Sequence, residues 1–147
     1  MNIYYTTYDL RRGRDSINMK NRPYVMTLSR DGTHPYAYAQ VLGIYGINVI
    51  HGPTMPDETR MDVVWVRWFK VDEAHRTGWR AKRLYRLNFV PSSEDGAFGF
   101  LDPNDIIRGT HLIAGFLRGH RSHSRNDPAS VWDPERGLDW KNYYVNQ

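Results

Sequence analysis

Strand-like periodicity dominates the chain. Residues 36–50, YAYAQVLGIYGINVI, place Val41, Tyr45, Ile47 and Val49 on one side and Leu42, Ile44 and Ile50 on the other, with Gly43 and Gly46 inside the run. A long strand with two glycines predicts bending, as when a sheet curls. Residues 51–59, HGPTMPDET, carry two prolines and a glycine and read as a loop into the next strand. That strand, 61–69 (MDVVWVRWF), is rich in β-branched and aromatic residues, lacks helical periodicity and is expected to be central. Residues 83–90 (RLYRLNFV) alternate, which predicts one buried and one wet face. Further strands are expected at 97–101, 109–116 and 140–145. Between the first two of these, Asp102 is placed to cap a short helical turn, with Pro103 at its first position and Asp105 in its first turn. Residues 119–132 have loop composition, and a flexible loop is expected at 118–131.

Length fits one domain: 147 residues suit a single core, and short strands punctuated by glycine and proline favour a small all-β barrel. The expectation is therefore one β-barrel-like domain over 1–147, SH3-like or BAH-like and distorted, with long loops and short helical turns. Apolar content of 40 % argues against disorder. No apolar run approaches the roughly 18 to 20 residues that span a bilayer, so no membrane partner is expected. The absence of cysteine excludes disulfides, Cys-based zinc sites and thiol catalysis, and favours an intracellular location.

Charge changes the picture more than composition does. The net charge is only +4, yet residues 1–30 hold six basic side chains against two acidic ones, and residues 67–90 hold seven against two. Arg118, Arg121 and Arg125 form a third basic segment, while the stretches between are acidic. Arginine outnumbers lysine 16 to 4, which suits bidentate contact with phosphate. If the segments converge they make a footprint for a polyanion; if they scatter they are solvated surface.

Catalytic patterns are missing. The six histidines never form HExxH, no serine lies in GxSxG, and no GxxxxGK[ST] loop is present. His120 and His123, with Asp127, have ligand-like spacing, but the arginines around them repel a cation, so no metal site is expected. Nor are an enzyme activity and a cofactor expected. Five tryptophans and ten tyrosines remain to be explained. Trp65 and Trp68 read first as core; Trp79, within GWRAKR, is an aromatic among cations and suits stacking on a base. Tyr36, Tyr38, Trp65 and Trp79 make an alternative set, an aromatic pocket for a peptide such as a methylated histone tail.

Five stretches carry a family resemblance: YTTYDLRRGRDSIN at 5–18, HPYAYAQVLGIY at 34–45, RMDVVWVRWF at 60–69, AFGFLDPNDIIRGTHLI at 97–113 and DWKNYYVN at 139–146. In that order they resemble a domain of basidiomycete fungi found near the C-termini of transposon-derived proteins. More distantly the pattern is similar to plant CACTA-type transposon C-terminal domains and to BAH modules. The resemblance implies a nuclear, chromatin- or DNA-associated adaptor within a longer protein, and implies no functional residue.

Charge and aromatic placement therefore supply the expected site. The leading expectation is duplex DNA bound through Arg11, Arg12 and Arg14, through Arg76, Trp79, Arg80, Lys82, Arg83 and Arg86, and through Arg118, Arg121 and Arg125. The alternatives are the peptide reader, or a structural domain that docks onto a larger protein and exposes an apolar patch.

Overall fold

A computed structural model describes residues 1–7, 11–30, 34–51, 55–120 and 140–146, with the backbone alone at 51, 55–57 and 79. The strands are β1 (Asn2–Thr6), β2 (Arg12–Ser16), β3 (Tyr24–Leu28), β4 (Tyr36–His51), β5 (Met55–Val71), β6 (Arg86–Phe89), β7 (Phe98–Leu101), β8 (Ile106–Gly109), β9 (His111–Ala114) and β10 (Tyr143–Asn146). Among the described residues the helical segments are single 3₁₀ turns, so the protein is all-β as expected.

β1 and β2 form a hairpin of their own. The other eight strands form one antiparallel sheet in the order β8-β3-β4-β5-β6-β10-β9, with β7 beside β5. The barrel stays open, because β8 and β9 at the two ends of this path do not pair with each other. Thr110 alone links them along the chain, and its N–H donates to the Tyr24 carbonyl at 3.0 Å.

β5 is the spine of the sheet. It pairs with β4 along most of its length, with β7 through residues 64–67 and with β6 through 69–71. The change of partner falls at Trp68, whose N–H donates to Ala97 at 2.9 Å and whose carbonyl accepts from Val90 at 3.0 Å. N–H and C=O of one strand residue project to the same edge, so β7 and β6 follow one another along one side of β5.

Two cores follow from the period-2 alternation of these strands. Val25, Ala39, Val41, Val64 and Val66 point to one side, where Ile3, Ile17, Leu101 and Ile106 cover them. Tyr38 and Phe69 point to the other side and pack with Leu87, Phe89, Leu112, Tyr143 and Val145. Covered on both faces, β5 reads as a near-continuous apolar run, with one exception: Arg67 is fully buried in the second core, its guanidinium carbon 4.1 Å from the centre of the Phe89 ring.

Several details depart from the sequence reading. The expected loop at 51–59 is largely strand, since β5 begins at Met55 and the hairpin ladder runs out to His51↔Met55. A register shift between Ile50 and His51 absorbs Pro56, which has no N–H to give to a regular ladder. The expected bend in β4 is present as a second shift, between Val41 and Gly43. β1, β2 and β3 have no counterpart among the expected strands. Asp102 does cap its turn, accepting from the Asn104 N–H at 2.8 Å. Most of the expected loop at 118–131 lies outside the described residues.

Candidate nucleic-acid interface

The β1–β2 hairpin sorts its side chains by parity. Ile3, Tyr5, Gly13 and Asp15 turn towards the body of the protein. Ile3 enters the first core, and the Asp15 carboxylate accepts the Gly109 N–H of β8 at 2.9 Å and the Tyr5 hydroxyl at 3.4 Å. The Tyr5 ring lies so close over Gly13 that a side chain there would collide with it. Further along the chain, Ile17 and Met1 exchange backbone hydrogen bonds of 2.8 and 3.0 Å.

The outward face carries Asn2, Tyr4 and Thr6 opposite Ser16, Arg14 and Arg12. All six can hydrogen-bond and none is acidic. Tyr4 sits directly across from Arg14 and diagonally from Arg12, and it is 69 % exposed. Arg11, immediately before that strand, is exposed, and Arg108 of β8 reaches the hairpin from the side, 6.0 Å from the Tyr5 ring. Arg11, Arg12 and Arg14 were legible from charge alone. Tyr4 was not, because only the strand register sets it between two arginines.

The second basic segment is a turn closed by paired backbone bonds between Gly78 and Arg83, of 2.9 and 3.4 Å. Arg76, Arg80, Lys82 and Arg83 are exposed around it. Arg118, at the end of the 3₁₀ turn after β9, is exposed too, and its charge and that of Arg83 both act on His75. Burial, Arg86, Arg83 and Arg118 together lower the His75 pKa, against a smaller opposing effect of Asp72.

Arg86 corrects the sequence reading. It is buried, and its guanidinium donates to the Asp72 carboxylate through Nε at 2.8 Å and Nη2 at 2.7 Å. Both bonds end on the one oxygen Oδ2, and a buried guanidinium committed to its own carboxylate is not offered to an external contact. Burial alone would raise the Asp72 pKa, but the hydrogen bonds from Arg86 and Asn88 and the Arg86 charge outweigh it and hold it below the usual carboxylate value. The hairpin is anchored in the first core through Ile3, and the turn precedes Tyr85, which packs against the second. Arg121 and Arg125 lie outside the described residues, as does the Trp79 side chain.

The aromatic pocket residues are dispersed. Tyr38 is buried in the second core, and Tyr36 packs against that core. Both lie about the ring of His34, at 6.1 and 6.4 Å between centres, with Tyr85 closer at 4.5 Å. The space these tyrosines enclose is thus filled by the protein's own imidazole, whose Nδ1 is 2.8 Å from the Tyr36 carbonyl. Trp65 is elsewhere, stacked on Phe98 at 5.9 Å and tilted against Phe100 at 4.8 Å.

No group of three or more metal-ligating side chains occurs among the described residues. His120 stacks on Trp140 at 3.9 Å, whereas His123 and Asp127 fall outside the described residues. No helix among the described residues is long and apolar enough to cross a membrane. Comparison of the chain with protein-family models, curated proteins and solved structures finds no match.

Proposed function

We propose that the chain is a non-catalytic DNA-binding module, nuclear and part of a transposon-derived protein, and that the β1–β2 hairpin is its contact surface. One observation carries this reading: the outward face of the hairpin is a two-stranded ribbon of hydrogen-bonding side chains that includes Arg12 and Arg14 and no acid. A two-stranded ribbon fits the major groove of duplex DNA, where arginine reads guanine edges or grips phosphate. Tyr4 between the arginines adds a flat ring with a hydroxyl tip for contact with a sugar or base. The anchoring of the inward face through Ile3 and Asp15 holds the ribbon rigidly, so little freedom is lost on binding.

The peptide-reader alternative has less support, since Tyr38 is buried and His34 occupies the tyrosine cluster. The test is fluorescence-anisotropy titration of labelled duplex, single-stranded DNA and histone-tail peptides across a salt series. Duplex binding is expected, with affinity falling by about 0.9 log unit per log unit of salt for each phosphate contacted. Arg12→Ala with Arg14→Ala should weaken binding and flatten that slope by nearly 2 where both grip phosphate. An unchanged affinity and slope would remove the hairpin from the interface.

A further inference from the structure

Another surface stands apart from the arginine hairpin. Beyond residue 44, β4 and β5 leave the body as a two-stranded ribbon, paired to each other out to His51↔Met55 with neither β3 nor β7 alongside. Register fixes its two faces. On one, Tyr45, Ile47 and Val49 lie opposite Val63, Met61 and Thr59. On the other, Asn48 and Ile50 lie opposite Arg60 and Glu58, with Asn48 donating to Glu58 at 3.3 Å and Arg60 paired to Asp62 at 3.5 Å.

The apolar face does not stop where the ribbon meets the body. It runs on into Trp65 and the rings of Phe98 and Phe100, which β7 brings alongside. Phe100 is 70 % exposed, and Ile47 and Met61 are 43 % and 42 % exposed. Arg67, the first charged residue reached along β5, is itself buried. Among the described residues one uncharged face thus extends over three strands, while Glu58, Arg60 and Asp62 point the other way.

We propose that this face joins two copies of the chain, packed sheet against sheet. Charge distribution selects a second copy as the occupant. A two-fold contact sets a patch against its own copy, so any charge on the patch would meet a like charge. Among its described residues this patch carries none, and Glu58, Arg60 and Asp62 lie on the reverse face. DNA does not fit an uncharged apolar surface. Strand rise and spacing make the face about 27 Å long and 10 to 14 Å wide. That is small for a permanent dimer, so a reversible equilibrium in the micromolar range is expected.

Sedimentation velocity over a series from micromolar to submillimolar protein tests this. The mass should rise from 17.3 kDa towards twice that value. Ile47→Lys and Met61→Lys each place a charge on the face and should raise the dissociation constant at least about tenfold. Phe100→Ser should do the same from β7 without touching the ribbon, and circular dichroism checks that each variant folds. Ile50→Lys, on the reverse face, should dimerise like the parent. A parent chain that stays at 17.3 kDa throughout the series overturns the proposal. So do dimers that persist in the three face variants, or an Ile50→Lys chain that loses dimerisation equally.

Discussion

Arg86 and Asp72 show how a single contact reassigns a residue. Six basic neighbours on the chain make Arg86 look like surface, but its guanidinium is buried and closes on Asp72. Arg86→Ala leaves the carboxylate without its strongest partner, and a loss of about 3 kcal/mol in urea unfolding is expected. The same cluster sets an acid dependence. Asp72 has a lowered pKa, so its contribution to stability is complete above its unfolded value of 3.8 and is lost as pH falls through the folded value. His75 also has a lowered pKa, the unfolded chain therefore binds a proton first, and stability is lost as pH falls below 6.5. His75→Gln should reduce the difference in urea midpoint between pH 7.5 and 5.5, and an unchanged difference would mean that His75 does not titrate in that window.

At the scale of elements, legibility followed the side chains that reach a core. β4 and β5 were readable because both of their faces are apolar near the body, and the Asp102 turn because its cap is local. β2 offers no such signal. Its sequence RGRDS contains no apolar residue, because its inward positions are Gly13, lying under the Tyr5 ring, and Asp15, bonded to Gly109. Its partner β1 therefore had nothing visible to pair with, and Tyr4 could not be placed between arginines. The loop expected at 51–59 failed for another reason: a ribbon with both edges open tolerates a proline at an irregularity where an inner strand would not. Asp15 makes the hairpin's attachment testable. Asp15→Ala leaves the Gly109 N–H without its acceptor, which costs about 1 to 3 kcal/mol. It should increase hydrogen exchange in residues 2–6 and 12–16 and weaken duplex binding several-fold. Asp15→Asn keeps an acceptor oxygen and should restore both, whereas equal effects of the two variants would point to the charge of Asp15 and not to its hydrogen bond.

For the whole molecule, the question is which basic surface the net charge of +4 serves. Sequence order suggested three basic segments, and the fold ties the described ones to two different cores. Arg11, Arg12 and Arg14 lie on the hairpin tied to the first core, while Arg83 and Arg118 meet about His75 beside the second. On the proposed DNA-binding reading both patches add to the long-range field that would draw DNA in, but only phosphates in direct contact release counterions and set the salt slope. Arg80→Ala, Lys82→Ala and Arg83→Ala together should therefore slow association and weaken binding at low salt while lowering the slope by less than about 0.5, against nearly 2 for the hairpin pair. A slope that falls equally in both variants would mean that the duplex bridges the two patches, and would move the interface from the hairpin alone to a surface that spans both cores.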